Sequence, residues 1–221
     1  MEGTRLRILQ ILQKNTNDTV EGLAKGVGLA SATVRRHLDI LQRDRLVAFS
    51  EVRKKTGRPE YSFYLTEDGQ EALPKDYSKL LSNVVKQLSE LSESDTLGKD
   101  GSGILDLVFS RLADEAVKPI KAELAGKGLG ERVASLERHL GEQTFLPEME
   151  VVDGTLNIRL MNCPFRSVAL ESKSVCAFDL NVICSVLDMD VERHDCIHDG
   201  DSGCMYTVDL SAEAKKQLAT V

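Results

Sequence analysis

This 221-residue chain contains no tryptophan, and only 5% of its residues are aromatic, so its cores must be closed by aliphatic side chains. It has no run approaching the ~18 apolar residues of a membrane span, and its N-terminus lacks the apolar stretch of a secretion signal. A cytoplasmic protein without membrane contact is the expectation. Cysteine is absent from the first 162 residues, and the C-x2-C knuckle of zinc ribbons is absent throughout. Internal repeats and low-complexity tracts are lacking too, which leaves one or two ordinary domains.

An overall positive charge is also missing. The formal net charge is −7, which taken alone argues against a nucleic-acid binder. Its distribution reverses that reading. Residues 1–76 hold thirteen Lys/Arg against eleven Asp/Glu, a net of +2, and the remainder carries −9. Within residues 31–58 eight basic side chains face three acidic ones. A local basic face on an acidic protein suits DNA contact, because the acidic remainder discourages adhesion elsewhere.

That basic stretch has a helical pattern. Val34, Leu38 and Leu41 recur at the spacing of one buried helix face, with Thr33, Arg35, Arg36, Gln42 and Arg43 opposite. Ser31 is placed to cap its N-terminus. Before it, Val20, Leu23, Ala24 and Val27 form a shorter apolar face that stops at Gly28, and a Gly-containing turn between two helices is the helix-turn-helix arrangement. Residues 4–14 supply a preceding helix with Leu6, Leu9 and Leu12 inward. Residues 46–49 and 61–65 read as strands joined by EVRKKTGRPE, whose tip gathers Lys54, Lys55 and Arg58. The combination predicts a winged helix. Its candidate contacts to double-stranded DNA are Ser31, Thr33, Arg35, Arg36, Lys54, Lys55 and Arg58.

Residues 1–72 resemble the winged-helix domains of ArsR/DeoR-like bacterial and archaeal regulators. The resemblance is carried by TVRRHLDIL, the LV that closes the helix, and GRPEYSFYLTEDG after the wing. It implies that Thr33 and Arg36 meet phosphates, that Arg35 lies near base edges, and that Arg58 enters the minor groove. Where such domains often carry Gly to end the recognition helix, this chain has Arg45.

After Pro74, Tyr77, Leu81, Val84, Leu88 and Leu91 step 4-3-4-3, a short heptad seam that suits a homodimer, as palindromic operators do. SESDTLGKDGSG, residues 92–103, reads as a polar linker. The expected organisation is thus a DNA-binding domain over 1–74, a dimerisation helix and linker over 75–103, and an α+β domain over 104–221. In that last part Ile104, Leu107, Val108, Leu112 and Ala116 share a face, with Pro119 kinking or ending the helix. A second helix covers about 128–142. A hairpin turns at Asp153-Gly154, a helix spans about 174–187, and a final hairpin pairs 191–197 with 204–210.

All five cysteines, Cys163, Cys176, Cys184, Cys196 and Cys204, fall in that domain. In an intracellular chain such a cluster points to metal or redox chemistry. Cys163, Cys176 and Cys204 are placed on a loop, a helix and a strand, so three thiolates would tie separate elements together. Cys184, within VICSVL, reads as a core residue, while Cys196 could be a ligand or a strand filler. Asp199 and Asp201 read as turn residues. A thiol enzyme would need an activated thiolate, for which only His194, Cys196 and His198 are near in sequence. The expectation is a regulator, not an enzyme.

NCPF, the cysteine that follows it after twelve residues, and VERHDC with GDSGCMYTV resemble the C-terminal domain of SufR-type regulators, winged-helix repressors that sense iron–sulfur status. That resemblance implies a dimer holding an iron–sulfur cluster, most often 4Fe–4S, through Cys163, Cys176 and Cys204. Four-cysteine members have a further Cys where this chain has Asp190, so the fourth ligand stays open, with Cys196 ahead of Cys184, His194 or a non-protein ligand. A zinc ion on the same cysteines and a small apolar ligand enclosed by the domain are the alternatives.

Overall fold

The computed structural model describes residues 3–52 and 60–211. The chain forms two compact units, Met1–Lys75 and Asp76–Val221. Both mix helix with antiparallel sheet, so the fold is α+β with a helix-turn-helix at the N-terminus.

The first unit runs α1 (Thr4–Asn15), β1 (Asp18–Thr19), α2 (Val20–Val27), α3 (Ser31–Arg43), β2 (Val47–Val52), β3 (Glu60–Leu65) and α4 (Glu67–Glu71). Its core joins Ile8, Leu9 and Leu12 of α1 to Leu23, Val34, Leu38, Leu41, Val47, Phe63 and Leu65. Ile8 is the inward residue missed by the sequence reading, and Leu6 is only half-buried. β3 is central in the order β1-β3-β2, so the hairpin acquires a third strand from the two residues ahead of α2.

The helix ends explain the turn. Thr19 accepts from the Gly22 N–H at 3.1 Å to start α2, and Gly28 ends it in the left-handed region at φ 71°, where glycine has no Cβ to clash. The expected cap at Ser31 is not formed. Ala30 is the N-cap of α3, and its carbonyl accepts from Thr33 and Val34 N–H at 2.9 and 3.1 Å, which makes Ser31 the first helical residue. At the other end Arg45 adopts φ 60°, and Leu46 N–H reaches back to the Leu41 carbonyl at 2.9 Å. An arginine therefore fills the left-handed position where glycine is usual.

The second unit contains α5 (Tyr77–Ser89), α6 (Glu93–Thr96), α7 (Gly101–Glu123), α8 (Leu129–Glu142), β4 (Pro147–Val152), β5 (Thr155–Leu160), α9 (Arg166–Glu171), α10 (Ala177–Leu187), β6 (Glu192–Asp195) and β7 (Cys204–Asp209). Three differences from the sequence reading stand out. The stretch 92–103 is not a bare linker: Ser92 and Asp95 cap each other around α6, Asp95 pairs with Arg111, and α7 begins at Gly101. Pro119 does not end α7, which continues to Glu123 because Val117 and Ile120 are both buried while Pro119 faces out. The seam on α5 is divided. Leu80 and Gln87 are buried and Val84 and Leu91 pack on the unit's own core, whereas Leu81, Val85 and Leu88 are exposed. No helix among the described residues is long and apolar enough to cross a membrane.

The sheet order is β4-β5-β7-β6, all antiparallel. Leu156, Ile158 and Leu160 pair in register with Val208, Tyr206 and Cys204, and all six are buried. They share one core with α7, α8 and α10. Asp153 and Gly154, at φ 51° and 87°, turn the β4–β5 hairpin as Asp-Gly pairs do.

Candidate functional site

In the first unit the recognition helix buries Val34, Leu38 and Leu41 and leaves Thr33, Arg35 and Arg36 exposed, with Ser31 half-buried at its start. Arg35 pairs with Glu21 of α2 at 3.3 Å, an exposed contact of little energetic weight. Among the described residues Arg36 has no such partner, so it is the cation of α3 left to meet an external anion. Lys54, Lys55 and Arg58 lie outside the described residues.

The sheet topology of the second unit gathers the cysteines. β5 ends, β7 begins and β6 ends at one edge, because each is antiparallel to its neighbour. Cys163 follows β5, Cys204 opens β7, Cys196 follows β6, and Cys176 closes a 3-10 turn, Lys173–Cys176, that leads into α10. All four therefore come to the same end of the sheet. Cys184 lies two turns further along α10, roughly 12 Å from Cys176 by helical rise. It is half-buried, not in the deep core, and takes no part.

Backbone contacts hold each element in place. The Cys163 loop is pinned by Asn162, whose N–H donates to the Phe145 carbonyl at 2.9 Å and whose side-chain amide donates to the Thr144 carbonyl at 2.6 Å. A Cβ on Gly203 would stand 2.9 Å from the Leu160 carbonyl, so only glycine lets the chain come close enough to seat Cys204 beside β5. Asp201 accepts from the Cys196 N–H at 2.9 Å. Lys173 bonds Asp199 at 3.0 Å, and His198 Nδ1 donates to the Ala169 carbonyl at 2.8 Å, which ties the 3-10 turn Ile197–Asp199 to its neighbours. Asp199 and Asp201 are thus turn-builders. His194 is exposed and bonds the Thr207 hydroxyl at 2.7 Å, so neither histidine faces the thiols.

The thiols interact. The sulfur of Cys196 accepts from the Cys204 side chain, from the His198 backbone N–H and from Cys176, with the Arg193 cation nearby, and these hold it below the ordinary thiol range. Cys204 shifts the other way, first because its proton is held by Cys196 and then by burial. Burial, then the Asp179 carboxylate, raises Cys176, which also feels Cys163. One thiolate stabilised by neighbouring thiols is the state these contacts favour. Phe145, Phe165, Phe178, Val175 and Ile197 wall the chamber, whose free space is about 10 Å³. Among the described residues no three His, Cys, Asp or Glu side chains are arranged as they stand to hold a metal ion.

Behind the thiols lies a polar group that the sequence reading overlooked. Asp179 is fully buried on α10, and Tyr206 Oη donates to its Oδ2 at 2.8 Å. Burial pushes its carboxyl up to about 6, against the opposing pull of the Tyr206 hydroxyl and Arg193. Arg193 donates from Nη1 to the Cys176 carbonyl at 2.9 Å. A signal existed: Asp179 is the one charged residue in the largely apolar run AFDLNVICSVL.

Residues 2–48 match the family described as bacterial regulatory protein, arsR family. The match spans α1 to α3 and places an arsR-type helix-turn-helix at the N-terminus, which supports a DNA-binding transcriptional regulator. Comparison with curated proteins finds no match. Among solved structures the chain is similar to the crystal structure of Bacillus subtilis PadR in complex with operator DNA, with 14% identity over 83% of this chain and 97% of that one and a TM-score of 0.29. A score that low sets no constraint on the overall arrangement.

Proposed function

We propose that this chain is a homodimeric transcriptional repressor whose affinity for operator DNA depends on an iron–sulfur cluster held by Cys163, Cys176, Cys196 and Cys204. One observation supports the reading above all others: four thiols widely separated in sequence meet at one end of a sheet, while the fifth stays apart.

The donor set fits the chemistry. Clusters of the 4Fe–4S type take four thiolates, and hydrogen bonds to sulfur tune them. Here the His198 and Ile197 N–H groups already point at Cys196 and Cys204. The fourth donor is then Cys196, in place of the cysteine that would stand at Asp190. The chamber is closed to about the volume of one water, so the thiols would have to part to hold a cluster. A bound cluster would supply thiolate–iron bonds whose presence responds to iron, sulfide and oxidants. This chain's residues supply the rest. The loop after β5, the turn before α10 and the two ends of the β6–β7 hairpin are coupled through one site, so a change there acts on several elements at once.

The DNA-facing part rests on Thr33, Arg35 and Arg36, with Lys54, Lys55 and Arg58 of the wing as further contacts. Leu81, Val85 and Leu88 form an exposed apolar stripe at helical spacing on α5, suited to a second copy of the chain. Val84, turned toward its own core, is not part of that stripe.

The test is anaerobic purification and reconstitution with iron and sulfide, followed by single substitutions. Cys163→Ser, Cys176→Ser, Cys196→Ser and Cys204→Ser should each remove most bound iron and sulfide, since serine is a far poorer ligand for soft metals. Cys184→Ser should retain both. Wild-type protein that holds zinc and no sulfide would replace the cluster with a zinc site, and protein that holds neither would end the sensor reading.

A further inference from the structure

A second cavity, of about 330 Å³, lies between α5, α7 and α8 of the second unit. Its floor includes Leu80, Leu112 and Ala116, and its polar edge includes Lys79 and His139. Phe165 and Phe178 line this cavity and also the thiol chamber. Their rings stand edge to face, 6.0 Å between centroids, and Phe165 is braced in turn by Phe145 at 6.1 Å. Phe165 is buried, while Phe178 is half-buried. The two spaces are therefore separated by a partition one aromatic layer thick.

We propose that this cavity is the entrance to the thiol chamber for small uncharged reactants, of the size of dioxygen or hydrogen peroxide, with Phe165 and Phe178 as the gate. The inference rests on the reading of the four-thiol site as the sensing site. Three observations select the class of reactant. The partition is aromatic, and beyond it the chamber offers only thiols, the Asp179 carboxyl and aromatic or aliphatic side chains, so an anion crossing it would lose its hydration without a replacement. The chamber has room for about one water-sized body. Cys163 on the chamber is half-buried, but Cys176 and Cys204, at 5% exposure each, are closed to bulk solvent, so a reagent reaches these two inner thiols only through side-chain motion. An edge-to-face ring that swings about its own χ angles is the smallest such motion available.

The test measures alkylation of each cysteine in the full-length reduced chain by mass spectrometry, with neutral iodoacetamide and anionic iodoacetate compared; both exceed the closed chamber, so their rates report how often the partition opens. In this reaction the thiolate sulfur forms a bond to the CH₂ carbon, iodide leaves with the carbon–iodine electron pair, and the thiol proton goes to solvent. Phe178→Ala should raise the iodoacetamide rate at Cys176 and Cys204 roughly tenfold, about the effect of removing one ring displacement from the opening step. Iodoacetate should gain less. Ala116→Phe, which fills the entrance without touching the chamber, should slow both cysteines. Cys184 serves as the internal control and should react at an unchanged rate in both variants. The proposal is overturned if Ala116→Phe leaves Cys176 and Cys204 unaffected, or if Phe178→Ala speeds Cys184 as much as the others, which would mean general loosening. A chain that binds no cluster yet shows the expected rates keeps the entrance and loses the cluster. A chain that binds a cluster with unchanged rates does the reverse.

Discussion

The helices α3 and α10 are of similar length and do opposite work. Recognition helix α3 buries one stripe, Val34, Leu38 and Leu41, and presents its remaining surface to solvent. Helix α10 buries Asp179, Val182, Ile183, Val186 and Leu187, which together leave little free face, and packs against α7 and α8. The candidate groups of α3 are long cations held out on a regular scaffold. Those of α10 are a thiol at its start and a carboxyl in its first turn, both enclosed. An exposed face works through residues that cost the fold little, whereas an enclosed site is assembled from residues that the fold cannot lose without consequence. The two helices should therefore respond differently to substitution.

The largest effect is expected on the inner stripe of α3. Leu38→Ala should cost about 2–5 kcal/mol through lost burial and a residual cavity. Urea denaturation monitored by amide exchange in α1 to α3 would show it. A loss below about 1 kcal/mol would mean that the one-sided packing of α3 matters less than its burial indicates.

Asp179→Ala tests the enclosed helix. It leaves the Tyr206 hydroxyl buried without its acceptor, at a cost of about 1–3 kcal/mol. Tyr206→Phe should cost less than that, and the double variant should cost less than the two singles together, because the partners are removed jointly. Additive losses would show that the hydrogen bond contributes nothing beyond packing.

Arg45→Gly should stabilise the first unit, by about 1 kcal/mol, since a non-glycine residue at φ 60° is strained. A thermal shift in the opposite direction would imply that the Arg45 side chain makes a compensating contribution.

The smallest change in stability is expected at Arg36. Arg36→Ala should alter folding by no more than about 0.5 kcal/mol. It should weaken DNA binding across sequences and reduce the salt slope by about one unit, as loss of a phosphate contact does. Fluorescence anisotropy at several salt concentrations separates the two readouts, and unchanged binding would remove α3 from the interface.

What the sequence by itself determined were features with a short period. The face of α3, the stop at Gly28, the Asp153-Gly154 hairpin and the strands around it all rest on neighbours within a few residues, where backbone geometry dictates the pattern. The tight turn at Arg45 was marked by its departure from glycine. Local signals misled where an end or a side choice depends on packing. Ser31 has the chemistry of a cap, yet the chain enters α3 one residue earlier. Pro119 has the chemistry of a stop, yet burial of Val117 and Ile120 carries α7 past it. On α5 a heptad count cannot tell which of two apolar stripes meets the unit's own core, and the fold chose Leu80 and Val84 over Leu81 and Val85.

The thiol site belongs to the tertiary structure. Spacing alone left Cys196 undecided and gave no reason to exclude Cys184 beyond its apolar setting. Antiparallel order in the sheet brings the end of β5, the end of β6 and the start of β7 to one edge, and α10 delivers Cys176 there while carrying Cys184 away. Asp179, Arg193 and Tyr206 join them for the same reason. A side chain's chemistry is set by its own atoms, but its neighbours across a sheet are set by strand order and register, and no local run of sequence encodes those.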